Sequence, residues 1–278
     1  MKKYIKKFKK GFNFLLVLIQ LYYLKTTKKI NKKHISKKSD FPVLYINLKR
    51  SKDRDLVISK DLKKNFSTTF RVNAVDGKDF IEGENYYTNK IKSFSYDFSD
   101  FDGTYGKSAV ACLLSHLIAV KKIHQMNFKY ALVLEDDANL KYVNDWGVSL
   151  EKIAENAPDD FDIIKLHSRR NLQNLKLLNK NILYRELDNP PYEEVSSMAL
   201  LWSRKGINKT LEFMKDNKFT FKAKHSEKIA CDYLLWKINK TYDFTQPLIY
   251  GNAFKSLIGH EKPHRYQKII IEKLYNTK

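Results

Sequence analysis

Apolar residues recur along this chain with two periods, which predict a sheet covered by helices. Short apolar runs bounded by turn residues are typical of buried β-strands, and apolar residues three and four positions apart are typical of amphipathic helices. We expect strands at residues 41–48, 69–72, 130–135, 161–166, 182–185, 196–202 and 247–250. We expect helices at residues 51–64, 108–126, 145–156, 203–215 and 227–238. Strands that alternate with helices indicate an α/β fold with a mainly parallel sheet flanked by helices.

One predicted strand ends in a cluster of acids. The apolar run at 130–135 leads directly into three consecutive carboxylates, Glu135, Asp136 and Asp137. Adjacent carboxylates repel one another, and a divalent cation is the natural group to hold them together. Hard oxygen ligands suit Mg2+ or Mn2+ carrying a phosphate, and ligands of α/β sheets bind at the carboxyl ends of strands. The alternative is that the acids cap the helix or loop that follows.

Positive charge is concentrated at the N-terminus. The 278 residues include 52 Lys and Arg against 31 Asp and Glu, a net charge of +21. Residues 1–40 carry 13 lysines and one acid, which is +12 of that total. Such a basic segment suits an anionic lipid surface. Nucleic acid is the less favoured partner, because an apolar block at residues 12–24 interrupts the basic run.

The length and flanking residues of the apolar block indicate how the basic segment meets a membrane. It is shorter than the roughly 17 to 25 apolar residues that a transmembrane helix needs. Lys25, Lys28 and Lys29 follow it where a signal peptide would have small cleavage-site residues, so we expect it to be retained. We therefore predict that residues 1–40 form a membrane-association arm with an interfacial helix. A helix packed on the protein's own core and a signal anchor are the alternatives.

Residues 41–278 are predicted to form one domain. A hydrophobic content of 43% allows a chain of this length to bury a substantial core. Within it, Cys112 and Cys231 lie in apolar helical contexts. Their number and spacing match neither a disulfide framework nor a zinc motif, so we expect buried thiols.

Four segments, in order along the chain, resemble a known enzyme family. They are YINLKRS at 45–51 with Arg54, RVNAVDG at 71–77, ACLLSH at 111–116 and LVLEDDA at 132–138. Together they resemble the bacterial lipooligosaccharide and collagen-type galactosyltransferases of glycosyltransferase family 25, with weaker matches at 196–206 and at Asp232. The chain departs from the family pattern at Ala109 and Ala111, where an acid and a glycine are usual, and residues 80–103 match no motif.

The resemblance implies a GT-A-like fold, a nucleotide-sugar donor and transfer with inversion. It implies that Glu135 and Asp137 bind Mn2+ or Mg2+ on the donor diphosphate, and that Asp136 faces the ribose or assists the metal. An inverting enzyme also needs a general base, for which Asp232 is the first candidate and Glu193 and Glu194 the alternatives. His260 and His264 are further possible metal ligands, although nothing in their spacing requires it.

Donor contacts are expected from polar residues on the neighbouring predicted elements. Arginine binds phosphate through two parallel hydrogen bonds, whereas an asparagine in an apolar strand suits a base or ribose. Each candidate also has a structural alternative, as a surface charge, a turn residue or a core histidine. The candidates are Arg50 and Arg54 for phosphate, Asn47 for base or ribose, Asp76 near the uridine, and Ser115 and His116 elsewhere in the donor site.

The sequence thus predicts an enzyme with a membrane-attached arm. It would move a hexose, galactose from UDP-galactose, onto a lipooligosaccharide, lipopolysaccharide or other glycan acceptor. We expect it to be peripheral on the cytoplasmic face of the bacterial inner membrane. A non-enzymatic basic module that binds anionic lipid or nucleic acid is the alternative.

Overall fold

A seven-stranded sheet forms the centre of the protein in a computed structural model. The structure describes residues 16, 18–24, 38–80, 94–95, 104–168, 171–188, 196–216, 219–220, 231–252, 254 and 265–275. The strands described are β1 (Val43–Asn47), β2 (Thr69–Asn73), β3 (Phe94–Ser95), β4 (Tyr130–Glu135), β5 (Ala138–Asn139), β6 (Ile163–Lys165), β7 (Tyr184–Glu186), β8 (Ala199–Ser203), β9 (Phe219–Thr220), β10 (Thr241–Phe244) and β11 (Tyr250–Gly251). The helices described are α1 (Lys52–Asn65), α2 (Thr104–Gln125), α3 (Leu150–Glu155), α4 (Asn171–Asn179), α5 (Arg204–Asp216), α6 (Cys231–Ile238) and α7 (Arg265–Tyr275).

The sheet is mixed and mainly parallel, as predicted. Its strand order is β2-β1-β4-β8-β6-β10-β7. Strand β1 is parallel to β2 and β4, and β6 is parallel to β10, whereas β8 is antiparallel to both β4 and β6. Five strands therefore run in one direction, and β8 and the edge strand β7 run in the other. The predicted α/β fold is confirmed.

Both faces of the sheet are buried, because side chains alternate along each strand. Tyr45 and Leu132 point into one core cluster, whereas Leu44 and Val133 point into the other. Strands buried on two faces read as continuous apolar runs, which is why β1 and β4 were visible in the sequence. Helix α2 covers one face with its buried side chains, among them Val110, Leu113, Leu114 and Leu117.

Helices α1, α2, α5 and α6 appear where the sequence predicts them, with shifted ends. The helix expected over 145–156 is shorter. A 3-10 turn occupies Val143–Asp145, and α3 begins after Ser149, whose Oγ accepts a hydrogen bond from the Lys152 amide at 3.3 Å. Ser51, the first residue of the predicted helix 51–64, precedes α1, and its side chain makes no capping hydrogen bond.

The C-terminal third departs most from the prediction. The strand expected at 247–250 is wrong, since only Tyr250 and Gly251 pair there, with β5 and outside the main sheet. The main-sheet strand in this region is β10, which the sequence analysis missed because it contains the acid Asp243. Helices α4 and α7 were also missed. Most of residues 80–103, which match no family motif, lie outside the described residues.

The helical residues 18–24 show how the N-terminal apolar block is used. Leu21 and Leu24 are buried in a core cluster of the main domain. The opposite side is open to solvent, with exposed fractions of 51% for Ile19, 73% for Tyr22 and 48% for Tyr23. Within the described residues, no helix is both long and apolar enough to cross a membrane. The packing of the two leucines favours the alternative of a helix docked on the core, and the predicted membrane contact stays a prediction.

Candidate functional site

The predicted site residues meet at one edge of the sheet. Asn47 ends β1 and Glu135 ends β4, and these two strands are parallel neighbours. Ser197 precedes β8, which runs in the opposite direction, so it lies at the same edge. Carboxyl ends of parallel strands are where ligands of α/β proteins bind. The edge formed by β1, β4 and β8 is therefore the candidate active site.

Asp136 is a buried acid held on both of its oxygens. Its Oδ1 accepts a hydrogen bond from Arg54 Nη1 at 2.8 Å, and its Oδ2 accepts one from Asn47 Nδ2 at 2.9 Å. Burial raises the pKa of Asp136, and the Arg54 guanidinium opposes that rise. The amide of Asn47 is itself oriented by Arg71, whose Nη2 donates to Asn47 Oδ1 at 2.7 Å. In this arrangement Asn47 and Arg54 position Asp136, and their contact with a nucleotide stays a prediction.

Glu135 faces a different set of partners. Its Oε1 accepts a hydrogen bond from Ser197 Oγ at 2.5 Å and lies 3.3 Å from Nε2 of the buried His116. The Cys112 thiol also donates to this oxygen, at a sulfur to oxygen distance of 3.9 Å. Burial disfavours a charged imidazole, but hydrogen bonds to Cys112 and Glu135 outweigh it and raise the pKa of His116 to about 10. The protonated, positively charged form of His116 is therefore favoured beside the Glu135 carboxylate.

Asp137 is the acid of the triplet that is poorly satisfied by the protein. Its Oδ1 is shut off from solvent and has no hydrogen-bond partner among the described residues. Burial, followed by the charges of Glu135 and Asp136, raises the pKa of Asp137 to about 8. A buried carboxylate oxygen without a partner is costly unless a cation compensates it. Together with Glu135 it supplies the oxygen ligands that Mn2+ and Mg2+ prefer, so these residues fit a divalent cation.

Arg50 and Asp76 form a pair at the rim of the site. Arg50 Nε donates to Asp76 Oδ2 at 2.5 Å, and the exposed guanidinium holds the pKa of Asp76 below its usual range. Asp76 also accepts a hydrogen bond from the Lys78 amide at 3.1 Å, which starts a 3-10 turn. Asp76 thus has the turn-forming role named as its alternative, and its position near a uridine stays a prediction.

Ser115 fixes the segment that carries Asp76. Its Oγ accepts a hydrogen bond from the Val75 amide at 2.9 Å and donates to the Ala111 carbonyl at 2.6 Å. Gly77 lies so close to α2 that a Cβ there would be 2.9 Å from the Lys107 carbonyl oxygen. The segment after β2 is therefore held against α2 by a buried hydroxyl and by a close backbone contact.

The structure does not describe the side chains of the predicted general bases or the two histidines considered as further metal ligands. Glu193, Glu194, His260 and His264 lie outside the described residues, as does the side chain of Asp232. The backbone of Asp232 follows Cys231, whose Sγ is within 4.8 Å of the ligand atoms of Cys112 and His116. The start of α6 thus lies beside Glu135.

Two side chains of this site were not predicted as functional. Ser197, which donates to Glu135, belongs to the pair Ser196-Ser197 at the start of an apolar strand, and that pair was a usable signal. Arg71 orients Asn47 from the neighbouring strand β2, where the parallel register places Asn47 beside Asn73. The register pairs Arg71 with Tyr45, so only the side-chain hydrogen bond shows that Arg71 reaches Asn47.

Comparison with known proteins gives one family match. The model of "Glycosyltransferase family 25 (LPS biosynthesis protein)" matches residues 41–235, which is most of the chain. No curated protein matches. Among solved structures, the chain is similar to "a glycosyltransferase involved in the glycosylation of the major capsid of PBCV-1", with 7% identity and a TM-score of 0.40. That alignment covers 84% of this chain and 100% of the other.

Proposed function

This chain belongs to glycosyltransferase family 25, and from that premise we propose that it transfers galactose from UDP-galactose to a lipooligosaccharide, lipopolysaccharide or other glycan acceptor, with inversion and with a divalent metal. Family membership makes it a transferase and favours the enzyme over a non-enzymatic basic module. The matched range includes every proposed donor-site residue, metal-binding acid and general base, from Asn47 to Asp232. The observation that supports the metal-dependent reaction most is the buried, partnerless Oδ1 of Asp137 at the sheet edge.

Asp137 and Glu135 are the proposed ligands of Mn2+ or Mg2+. The bound cation would neutralise charge that develops on the departing nucleoside diphosphate. Asp136 is a less suitable ligand, because both of its oxygens already accept hydrogen bonds from Arg54 and Asn47. Its proposed role is to hold the end of β4 in position, with assistance to the metal or ribose as a second role.

Arg50 is the proposed phosphate contact of the rim. Its guanidinium is exposed and lies on the loop after β1, so a diphosphate could reach it without displacing buried groups. Arginine suits that task because its planar fork donates two parallel hydrogen bonds to phosphate oxygens. The acceptor hydroxyl must lose a proton on the side opposite the diphosphate. We assign that step to Asp232, because α6 starts beside Glu135, and keep Glu193 and Glu194 as alternatives.

The N-terminal segment is the proposed attachment to the membrane. Thirteen lysines in the sequence of residues 1–40 favour an anionic surface, and Ile19, Tyr22 and Tyr23 of the same segment are exposed apolar side chains. The docked leucines would hold this face at a fixed place on the domain. A peripheral position on the cytoplasmic face of the bacterial inner membrane would bring the enzyme to a glycolipid acceptor.

A panel of nucleotide sugars tests the proposal. The full chain is incubated with UDP-galactose, UDP-glucose, UDP-N-acetylglucosamine and GDP-mannose, each with Mn2+ and with EDTA, and the released nucleotide is measured. We expect release from UDP-galactose above the other donors, and only with Mn2+. Release from another donor would overturn the galactose assignment, and equal release in EDTA would overturn the metal.

A further inference from the structure

Three side chains that bind soft metals meet behind the candidate active site. Cys112 and His116 are one helical turn apart on α2, so they share a face of that helix. Cys231, the first residue of α6, completes the group from a distant part of the chain. One ligand atom from each lies within 4.8 Å of the other two. Their sequence spacing matches no metal motif, and the folded chain brings them together.

A fourth atom lies next to this group. Glu135 Oε1 is 3.3 Å from His116 Nε2 and 3.9 Å from Cys112 Sγ. In a tetrahedral zinc site, bond lengths of about 2.1 Å to nitrogen or oxygen and about 2.3 Å to sulfur place nitrogen and oxygen about 3.4 Å apart, and sulfur and oxygen about 3.6 Å apart. The two observed distances are within a few tenths of an ångström of those values. Glu135 is not among the residues whose ligand atoms all lie within 4.8 Å of one another, so its side chain would have to shift towards Cys231 to complete a tetrahedron.

The surroundings are those of a closed structural site. His116 and Cys231 are buried, and Cys112 is partly buried. Nδ1 of His116 is buried as well and has no hydrogen-bond partner among the described residues. Structural zinc sites use four protein ligands, commonly thiolates and imidazoles, in such closed positions.

We propose that Cys112, His116 and Cys231 bind one Zn2+ ion, with Glu135 as the fourth ligand. Thiolate and imidazole select zinc over Mn2+ or Mg2+, which prefer all-oxygen ligands. The site is distinct from the donor metal at Asp137. Glu135 has two carboxylate oxygens, so Oε1 can bind zinc while Oε2 stays available at the donor site.

The zinc ion would serve to position the active site. It would join the start of α6 to two consecutive elements much earlier in the chain, α2 and the end of β4. Asp232, the proposed base, directly follows the ligand Cys231. Loss of zinc should therefore loosen α6 and lower thermal stability, because binding free energy at a structural site contributes to folding.

Metal content of the purified full chain is the first test. The protein is isolated without chelators, dialysed and analysed by elemental mass spectrometry. We expect about one equivalent of zinc per chain in the wild type and in the Asp137→Asn variant, and less than about one tenth in the Cys112→Ser/Cys231→Ser variant. His124→Ala, an exposed histidine on the same helix, is the matched control and should keep its zinc. Wild-type protein without zinc after incubation with excess Zn2+ would overturn the proposal.

Cobalt substitution gives a spectroscopic readout that needs no variant. Co2+ bound to the wild-type chain should show thiolate-to-cobalt charge-transfer absorption and the visible bands of a tetrahedral ion. Excess Zn2+ should remove both. A spectrum without thiolate bands would contradict the ligand set. Intact-mass analysis of the native protein that finds Cys112 and Cys231 joined in a disulfide would also contradict it, since oxidised sulfur cannot bind the ion.

The Asp137→Asn variant separates this site from the donor metal. It should retain its zinc and lose sugar transfer.

Discussion

Asp243 is fully buried on β10 and lies between two cations. Its Oδ1 is 3.1 Å from Nζ of the buried Lys165, and its other oxygen accepts a hydrogen bond from Arg185. The Lys165 ammonium also lies 4.6 Å from the ring centroid of Trp236. Among the described residues, Asp243 thus pairs with two positive charges, Lys165 in the core and the partly buried Arg185.

Replacing Asp243 by Asn should therefore destabilise the fold strongly. Removing one partner from a buried ion network leaves uncompensated charge and costs about 3–5 kcal/mol. Urea unfolding followed by circular dichroism measures this loss. Glu186→Gln on the adjacent strand β7 is the control, because Glu186 pairs with Lys240 on the surface and exposed pairs contribute little. Equal unfolding midpoints for the two variants would contradict the account.

Asp232→Asn tests the proposed base. The amide cannot take a proton from the acceptor hydroxyl, so kcat should fall by about two to four orders of magnitude while UDP affinity changes little. Steady-state transfer assays give kcat, and calorimetric titration gives the UDP affinity. Weaker UDP binding with unchanged kcat would place Asp232 in the donor site and transfer the role to Glu193 or Glu194.

The acids of the candidate site were evident from the sequence, but the directions in which their side chains point were not. Three adjacent carboxylates at the end of an apolar run were visible without a structure. Asp136 turns towards Arg54 and Asn47, which are 82 and 89 positions away, so its role depends on contacts that no local pattern contains. The same holds for Cys231, which reaches Cys112 only after α6 packs on α2.

At the scale of elements, Gly206 fixes the approach of α5 to the sheet. A Cβ at this position would lie 2.5 Å from the Asp162 carbonyl oxygen. In an exposed helix, Gly→Ala stabilises by up to about 1 kcal/mol. Here the clash involves backbone, so we expect Gly206→Ala to destabilise by about 1–3 kcal/mol and to lower Tm. Asn208→Ala, at an exposed position of the same helix, should leave Tm unchanged or raise it. A rise in Tm for Gly206→Ala would show that the close approach is wrong.

The two faces of the helical residues 18–24 should have different functions. We expect the exposed face to bind the membrane and the buried face to stabilise the fold. Tyr22→Ser/Tyr23→Ser removes exposed aromatic side chains, so binding to anionic vesicles should weaken several-fold with little change in Tm. Leu24→Ala removes a buried side chain, so Tm should fall while the exposed face is kept. Vesicle sedimentation and thermal melts measure the two effects. Unchanged vesicle binding in the tyrosine variant would move the membrane contact elsewhere.

Elements were predictable where burial produced a uniform apolar run. Strands β1 and β4 are buried on both sides and lie in the middle of the sheet, so their patterns were clear. Strand β10 is equally buried, yet its sequence Thr-Tyr-Asp-Phe contains an acid that only the ion network explains. A buried acid of this kind interrupts the apolar run, so a hydrophobicity pattern does not indicate the strand.

At the scale of the whole molecule, the alternation of strands and helices in the sequence was sufficient to predict the fold class. It did not give the strand order, in which β8 enters between β4 and β6 in the opposite direction. That insertion brings Ser197 to the edge where Glu135 lies. The family motifs compensated for this in part, because they pointed to candidate residues, among them Asn47 and Glu135, that the fold brings to one edge of the sheet.

Mn2+-dependent transfer by wild type and Asp137→Asn, measured side by side, is the most direct test of the central claim. UDP-galactose turnover is followed over a range of Mn2+ concentrations, with the exposed Asp159→Asn as control and circular dichroism to verify folding. The account predicts saturable Mn2+ activation of wild type and Asp159→Asn, reversible by EDTA, and turnover in Asp137→Asn lower by at least about two orders of magnitude at every concentration. Near wild-type turnover of a folded Asp137→Asn protein in metal-free buffer would contradict it.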